Sequence, residues 1–364
     1  MNHTKKLSVL IIAIALVLLL VFLFSANCGR KAEELTTTTS TDTTTSTDTT
    51  TSTSTTTTST DTSTTVASTT TATTTTTLGT WSALTSGTTN KLNSISFVDA
   101  NNGWVCGNNG TIEYTSDGGA TWSFQTAATT NRLTSIQFIN NSYGFTVGDN
   151  RKIFTTSNGG TTWVSRVSPL PGITLYLDVY FCSTSEGWVV SNNGFILKTT
   201  DGGISWISTE ATTNNLNSIS FSGTLEGWAV GQGGIIFNTD NGGTTWVSQE
   251  SPVVANLFSA HAVTANICYA CGREGVILKT TNGGINWNVL TSGTTTELRC
   301  ITFIDENIGW AAGDGGVILF TSDGGTTWAA QNSTTTQQIE SLCFIAPNKG
   351  WAAGSSGTIL RFSN

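Results

Sequence analysis

The sequence predicts an all-β fold, a seven-bladed β-propeller, and two observations carry this prediction. A segment of sequence recurs every 40 to 43 residues, and its clearest copies cover residues 103–122 and 309–328. Two aromatic columns follow the same period and together contain all 12 tryptophans of the chain. No unit of such a repeat buries its own apolar face, so neighbouring units must pack on one another.

Each repeat contains four predicted strands. In the first full copy they cover residues 92–97, 104–106 and 111–115, and the fourth begins at Trp122. Alternating apolar residues between Gly and Asn clusters are typical of short, half-buried strands. Four strands in about 40 residues favour a propeller blade over a helical solenoid, and no apolar stripe of helical spacing runs through the repeats. One core column is isoleucine in every copy: Ile112, Ile153, Ile196, Ile236, Ile277, Ile318 and Ile359.

The seventh blade is predicted to be split between the two ends of the domain. The last copy stops at Asn364, which aligns with Asp117 of the first copy. The missing remainder ends in Thr-Trp, and this pair occurs at the other end as Thr80 and Trp81. We therefore expect an outer strand over residues 81–86 to complete the blade and hide both terminal strands. The propeller then covers residues 78–364; the alternative is an open ring or another number of blades.

Residues 1–28 are predicted to be a signal or anchor segment. An apolar run over 7–24 follows Lys5 and Lys6, which places the N-terminus in the cytoplasm. Cys28 follows the run in a degenerate lipoprotein cleavage box. Lipidation of Cys28 and an uncleaved signal anchor are both compatible with this pattern. Either one tethers the chain, so we expect an extracytoplasmic protein anchored at the cell envelope or cell surface.

Residues 29–77 are predicted to be a disordered linker, because 36–77 are almost wholly Thr and Ser with a few Asp. Such a composition buries too little apolar surface to offset the cost of ordering the chain. Two readings stay open, an inert spacer and an O-glycosylated stalk. In both, the linker separates the propeller from a membrane.

The charge of residues 78–364 narrows the choice of partners. This region has 11 Lys and Arg against 18 Asp and Glu. It therefore lacks the excess of cations that nucleic acids and anionic lipid headgroups require, so the membrane contact is expected only through the N-terminal anchor. Cys268 and Cys271 form a CxxC pattern, but positions i and i+3 of a strand point to opposite faces. We interpret the cysteines as buried small hydrophobes and predict no metal or other cofactor.

Six predicted hairpins share the motif [Ser/Thr]-x-[Asp/Asn]-x-Gly-x-[Thr/Ser/Asn]-Trp, as in TSDGGATW at 115–122. This is the Asp-box of propeller blades. Its acidic or amide side chain can hydrogen-bond its own turn, and its glycine can supply a positive φ. We interpret these side chains as structural, with no role in metal or ligand binding. They are Asp117, Asn158, Asp201, Asn241, Asn282 and Asp323.

Together with the frame around them, these motifs resemble the photosystem II stability/assembly factor family over the whole of 78–364. The resemblance implies seven-bladed BNR-type propellers that are exported and often lipid-anchored in bacteria. It also implies binding of a newly made reaction-centre protein without catalysis, through arginines beside the inner strands. Only Arg299 matches that arginine position in this chain. The position is occupied by Asn93, Thr134, Leu177, Asn217, Phe258, Arg299 and Glu340.

The candidate binding residues are four arginines, Arg132, Arg151, Arg273 and Arg299. Arg151 interrupts a column of hairpin glycines in the second blade, which indicates either drift of the turn or a basic tip on the binding face. The loops at 126–132, 168–174, 210–215 and 291–297 are rich in Thr, Asn and Gly, which suits polar recognition. We expect a monomeric, non-catalytic scaffold that binds a protein or glycan partner.

The alternative is a glycoside hydrolase of the sialidase or xyloglucanase type, because Asp-boxes also occur in those enzymes. A sialidase needs a cluster of arginines, yet the arginines here fall in different repeat columns. His261 is the sole histidine of the predicted propeller, which leaves little basis for a Ser-His-Asp triad. Paired-carboxylate chemistry stays open, because Asp178, Glu297 and Glu340 lie near predicted strand starts.

Overall fold

A computed structural model describes residues 79–363, and within this range the fold is a seven-bladed β-propeller. The 28 strands form seven four-stranded antiparallel sheets. Each sheet is one blade, and its first strand packs against the first strands of both neighbouring blades. The predicted fold class is therefore confirmed for this range. The predicted anchor at 1–28, with Cys28, and the linker at 29–77 lie outside the described residues.

The strands run from the centre of the ring outwards in each of blades 1 to 6. Blade 1 contains β2 (Leu92–Phe97), β3 (Gly103–Gly107), β4 (Ile112–Thr115) and β5 (Ser123–Gln125). Blade 2 contains β6 (Leu133–Phe138), β7 (Gly144–Gly148), β8 (Lys152–Thr156) and β9 (Val164–Ser165). Blade 3 contains β10 (Tyr176–Phe181), β11 (Gly187–Ser191), β12 (Phe195–Thr199) and β13 (Ile207–Glu210). Blade 4 contains β14 (Leu216–Phe221), β15 (Gly227–Gly231), β16 (Ile236–Thr239) and β17 (Val247–Gln249).

The remaining blades follow the same plan, except that blade 7 combines the two ends of the described chain. Blade 5 contains β18 (Leu257–Ala262), β19 (Cys268–Gly272), β20 (Ile277–Thr280) and β21 (Asn288–Leu290). Blade 6 contains β22 (Leu298–Phe303), β23 (Gly309–Gly313), β24 (Ile318–Thr321) and β25 (Ala329–Gln331). Blade 7 contains β26 (Ile339–Ala346), β27 (Lys349–Gly354), β28 (Ile359–Ser363) and β1 (Thr80–Leu84).

Short 3-10 helices form the turn between the second and third strands of five blades. They are η1 (Asn108–Gly110), η2 (Gln232–Gly234), η3 (Arg273–Gly275), η4 (Asp314–Gly316) and η5 (Ser355–Gly357). None of the helices in residues 79–363 has the length and hydropathy of a transmembrane segment.

The ring is closed by the pairing of β1 with β28. The register runs from Thr80 opposite Ser363 to Leu84 opposite Ile359. Trp81 is buried in this sheet, and its Nε1 donates a hydrogen bond to Oε1 of Gln331 on blade 6, over 2.8 Å. The expected split blade is thus present, with its outer strand at Thr80–Leu84 instead of 81–86. Blade 7 thereby joins the neighbouring blade through side chains as well as through its own sheet.

Stacked aromatic rings fill six of the seven seams between blades. At the seam between blades 5 and 6, Phe303 stacks on Tyr269 with 3.7 Å between ring centroids, and Trp328 of the outer hairpin contacts Phe303 edge-on at 6.0 Å. Each such ring pair adds about 0.5–1.5 kcal/mol beyond the burial of its area. The corresponding stacked pairs are Phe97–Trp351, Trp104–Phe138, Phe145–Phe181, Trp188–Phe221 and Trp310–Phe344.

Blade 5 departs from this pattern by a compensated pair of substitutions. In blade 1, Phe97 lies opposite Gly103, and a Cβ at Gly103 would lie 2.4 Å from the Phe97 ring. In blade 5 the same two positions are Ala262 and Cys268, which also lie opposite each other. The thiol of Cys268 thus occupies space that a phenylalanine ring fills in the other blades. Cys268 and Cys271 contribute to different seams, as the sequence predicts for strand residues three apart.

We predict that the Ala262 and Cys268 substitutions are energetically coupled. Ala262→Phe alone forces a ring against the Cys268 side chain, and overpacking of this kind costs about 1–3 kcal/mol. The double variant, Ala262→Phe with Cys268→Gly, recreates the pair of the other blades. Its free energy of unfolding should lie within about 1 kcal/mol of that of the unchanged protein. Urea denaturation gives the free energy of unfolding of the two single variants, Ala262→Phe and Cys268→Gly, and of the double variant. Simple additivity of the two single effects would show that the pair is not a compensated unit.

Candidate functional site

All four candidate arginines lie on one face of the ring, which we call the loop face. This face carries the connections that enter the first strand of each blade and the turns between second and third strands. Arg132 precedes β6, Arg151 follows β7, Arg273 begins η3 and Arg299 is the second residue of β22. The opposite face, which we call the box face, carries the Asp-boxes. The arginines form two separate groups, one on blade 2 and one on blades 5 and 6.

Arg299 is the centre of the larger group. Its Nε lies 3.0 Å from Oδ1 of Asp314, and its Nη2 lies 2.6 Å from Oε2 of Glu297. Arg273 reaches the other oxygen of Glu297, with Nε 3.4 Å from Oε1. The Arg299 guanidinium also lies over the Phe258 ring, 4.7 Å from its centroid. Both arginines of this group therefore meet carboxylates of their own chain.

Three further side chains extend this group across blade 7 to the loop that enters blade 1. Gln338 Nε2 donates to Asp314 Oδ1 over 2.6 Å, and Lys91 Nζ donates to Gln338 Oε1 over 3.2 Å. Lys91 Nζ also lies 2.7 Å from Oε1 of Glu340. Sequence reasoning missed Lys91, Asp314 and Gln338: Lys91 and Gln338 stand in the column just before the first strand, and Asp314 stands in the column of Arg273. We call the complete set the mouth cluster: Lys91, Arg273, Glu297, Arg299, Asp314, Gln338 and Glu340.

The mouth cluster is balanced in charge, with three cations and three carboxylates. Burial alone would raise the pKa of Asp314, but its hydrogen bonds from Arg299 and Gln338 outweigh burial and lower that pKa. Burial alone would lower the pKa of Arg299, but the hydrogen bond and charge of Asp314 outweigh it and raise that pKa. Both groups are therefore charged at neutral pH, and the pair is about one-third exposed to solvent.

The second group consists of Arg132 and Arg151 on blade 2. Arg132 forms an ion pair with Asp149, with 3.0 Å between Nη2 and Oδ1. Arg151 has a φ of 61°, a left-handed conformation that most side chains avoid. Its Nη1 donates to the carbonyl of Leu170 over 2.8 Å, and Leu170 is buried. Arg151 thus holds the loop 168–174 in place.

The length of the loop 168–174 explains why position 151 can hold an arginine. In blade 1 the equivalent residue is Gly110, and a Cβ there would lie 1.9 Å from the carbonyl oxygen of Thr129 in the adjacent loop. The interval from Trp163 to Trp206 is 43 residues, the longest in the chain. The longer loop of blade 2 leaves room for a side chain at position 151, where a shorter loop requires glycine.

The second residues of the inner strands form a ring at the mouth of the central channel. Three of them tie neighbouring blades together: Asn93 Nδ2 donates to the Leu133 carbonyl, Thr134 Oγ1 to that of Tyr176, and Asn217 Nδ2 to that of Leu257, each over 2.7 Å. Leu177 and Phe258 are half-buried apolar members of the ring. The mouth therefore has an apolar part on blades 3 and 5 and a charged part on blades 6 and 7.

The three candidate catalytic carboxylates lie on three different blades. Asp178 on blade 3 accepts hydrogen bonds from the hydroxyls of Ser135 and Ser218 and from two backbone amides. Glu297 and Glu340 are ion-paired within the mouth cluster. His261 lies on β18 in blade 5. Within residues 79–363, no three His, Cys, Asp or Glu side chains come close enough to hold a metal ion.

The Asp-box side chains bond their own hairpins on the box face. Asp117 Oδ1 accepts hydrogen bonds from the hydroxyl of Thr115 and the backbone amide of Thr121, over 2.8 and 2.9 Å. Its Oδ2 accepts the Thr121 hydroxyl over 2.6 Å. The box also joins its neighbour, because Trp351 Nε1 of blade 7 donates to the Gly118 carbonyl over 2.9 Å. Both carboxylate oxygens are thus hydrogen-bonded within the protein.

A profile of the family described as photosynthesis system II assembly factor YCF48 matches residues 73–172, 167–302 and 290–363. The chain belongs to this family. The YCF48 match includes strands of all seven blades, and it confirms the resemblance expected from the Asp-box frame.

Solved structures show the same fold. A structure described as YCF48 bound to D1 peptide is 25% identical, with a TM-score of 0.67, and the match covers 78% of this chain and 95% of that one. YCF48 from Cyanidioschyzon merolae is 21% identical, with a TM-score of 0.66 and coverage of 78% and 99%. The WD40 propeller domain of Doa1 is 13% identical, with a TM-score of 0.63 and coverage of 78% and 95%, so it shows the fold alone. No curated protein sequence matches this YCF48 relative.

We predict that the acidic Asp-boxes make the propeller sensitive to strong acid. Hydrogen bonds from Thr121, Ser205 and Thr327 lower the pKa of Asp117, Asp201 and Asp323 to about 2. An unfolded Asp has a pKa of about 3.9, so this contribution to stability is present above pH ~4 and lost as the pH falls towards 2. Thermal unfolding midpoints between pH 2 and 6 measure this loss.

The natural Asn boxes provide the matched test of that prediction. Asn158 Oδ1 accepts the same two hydrogen bonds as Asp117 without ionising. Replacing Asp117, Asp201 and Asp323 together by Asn should reduce the fall in midpoint between pH 4 and 2. Asp240→Asn, which changes an exposed neighbour of a box, should leave the fall unchanged. An equal fall in the triple variant and the unchanged protein would refute the prediction.

Proposed function

We propose that this protein is a non-catalytic binding scaffold that is held at a membrane outside the cytoplasm and binds a protein segment at the mouth of its loop face. The observation that carries the proposal is the mouth itself, where Arg299 lies over the partly exposed ring of Phe258 and Arg273 shares Glu297 with Arg299. Arginine and aromatic side chains are enriched in protein interfaces and dominate their binding energy. Membership of the YCF48 family and the peptide complex of a relative support a protein partner over a glycan.

The positions of the carboxylates support a binding role over hydrolysis. Asp178 of blade 3 is hydrogen-bonded to Ser135 of blade 2 and Ser218 of blade 4. Glu297 and Glu340 are held by cations of the mouth cluster. A hydrolytic pair needs two carboxyl groups that flank one substrate bond, about 5–10 Å apart and free to act on it. We expect no turnover of fluorogenic sialosides or xyloglucan oligosaccharides. If the protein does turn over one of these substrates, and Glu297→Gln or Glu340→Gln abolishes that turnover, the protein is an enzyme and the scaffold proposal is wrong.

We predict that reversing the charge at Arg299 weakens partner capture. Arg299→Glu places a third carboxylate beside Glu297 and Asp314, so a segment that contacts the mouth should bind at least tenfold more weakly, about 1.4 kcal/mol. The measurement is capture from detergent-solubilised membranes by the full chain, quantified by mass spectrometry. Lys349→Glu, a charge reversal at the start of β27 on the box face, is the matched control. Equal capture by both variants would remove the mouth as the binding site.

A substitution at Cys28 distinguishes the two possible membrane anchors, a lipid on Cys28 and an uncleaved signal anchor. If Cys28 is lipidated, Cys28→Ser should prevent lipid attachment and change the migration of the protein after metabolic labelling with a fatty-acid analogue. If residues 7–24 stay as a signal anchor, the Cys28→Ser variant should remain in the membrane fraction. Neither the variant nor the unchanged protein should then carry the fatty-acid label. Recovery of the unchanged protein in the cytoplasmic fraction would refute both forms of the tether.

A further inference from the structure

Glu113 is a buried acid that no side chain within residues 79–363 hydrogen-bonds, and the one group that acts on it as a donor is the Gly87 backbone. It is the second residue of β4 and has 0% of its surface exposed. The equivalent position is apolar in each of the other six blades. The residues there are Phe154, Leu197, Phe237, Leu278, Leu319 and Leu360.

Glu113 faces the seam between blades 7 and 1. This seam is where the two ends of the described chain meet, because β1 completes blade 7 and the loop 85–91 leads from β1 into blade 1. Gly87 of that loop covers the acid: a Cβ there would lie 3.2 Å from Glu113 Oε1 and 3.1 Å from the Phe124 ring. Any opening of this seam therefore brings water to the carboxyl group.

The covering loop differs from three of its counterparts in the backbone conformation at Gly87. The residues equivalent to Gly87 include Ala128, Gly293 and Thr334, and their φ angles are 49°, 77° and 62°. Gly87 lies outside this left-handed region, as do Ala211 and Pro252 at the same position of two other blades. The loop that crosses Glu113 therefore differs from the three left-handed loops at Gly87 alone, since Ser86 and Thr88 make the same hydrogen bonds as Ser292 and Thr294 in the loop 291–298.

No cation forms an ion pair with the acid, although Arg361 of the same seam has a buried Nε that also lacks a hydrogen-bond partner within residues 79–363. Arg361 faces the same seam from β28, because it alternates with Leu360, which packs towards blade 6. Cys343 of β26 also belongs to this seam, and Lys91 at the end of the covering loop is paired with Glu340. Strands β1, β2, β3 and β5 present no acidic or basic side chain to it. Burial raises the pKa of Glu113, opposed only by the Gly87 backbone, and no charge contributes.

We propose that Glu113 makes the closing seam proton-dependent: the neutral acid keeps blade 7 packed on blade 1, and its ionisation loosens the loop 85–91 and strand β1. A buried ionised carboxylate without a partner is strongly unfavourable, and the least costly relief is local opening that hydrates it. This device acts on the ring itself and does not depend on the partner proposed above.

The direction of the pH dependence follows from the raised pKa. A group whose folded pKa lies above its unfolded value, about 4.3 for Glu, contributes stability that is complete below that value. This contribution is lost as the pH rises through the folded pKa. The seam should therefore be tightest in mild acid and looser in alkali, opposite to the trend from the Asp-boxes below pH 4.

Hydrogen exchange of the full chain between pH 5 and 9, corrected for intrinsic rates, tests the proposal. In the unchanged protein, protection of β1 and the loop 85–91 should fall at least tenfold over this range, while β9 in blade 2 stays constant. Glu113→Gln keeps the shape without the charge and should abolish the fall. Glu113→Leu, which introduces the residue found at this position in four other blades, should also abolish the fall. Its protection of β1 should be higher than that of the unchanged protein.

The controls separate this effect from general destabilisation. Glu210→Gln, an exposed acid on the outer strand of blade 3, should keep the fall of the unchanged protein. A fall of the same size in Glu113→Gln as in the unchanged protein would overturn the proposal, even if Glu113→Leu fails to fold. So would constant protection of β1 across the range in the unchanged protein.

Discussion

The packing of one phenylalanine ring between two aromatic rings, at six of the seven seams, is the interaction on which the rest of the propeller depends. A ring such as Phe303 can lie flat only because the opposite strand offers glycine, here Gly309, whose Cβ would lie 2.5 Å from that ring. Six seams use this arrangement, and Ala262 with Cys268 replaces it in the seventh. Because the seams fix the angle between neighbouring blades, they also fix where each loop stands around the mouth.

The mouth cluster shows how a site arises from seams instead of from any single repeat. Lys91 lies at the entrance of blade 1, Asp314 in a turn of blade 6 and Glu340 on the inner strand of blade 7, yet one network of ion pairs and hydrogen bonds connects them. The cluster holds its arginines in defined positions at the cost of neutralising them. Recognition at such a site relies on shape and on exchange of polar partners more than on attraction over a distance.

The sequence was sufficient for the architecture because architecture is encoded in columns that repeat. The number of blades, the split seventh blade and the Asp-boxes all follow from comparing one copy with the next. Contacts between unlike columns leave no such trace. The pairing of Arg151 with Leu170 depends on the path of a longer loop, and the pairing of Gln338 with Asp314 crosses from blade 7 to blade 6. Glu113 did leave a visible trace, as the one acid in an apolar column.

Closure through β1 and β28 has a topological consequence. Thr80 and Ser363 lie directly opposite each other at the box face, at the place where every other blade has a covalent hairpin. The ring therefore has seven nearly equivalent positions between the third and fourth strands of a blade. The backbone is continuous at six of them and interrupted at the one in blade 7. A circular permutant that links these two residues and begins within another Asp-box hairpin would trace the same toroid, with a different blade as the split one.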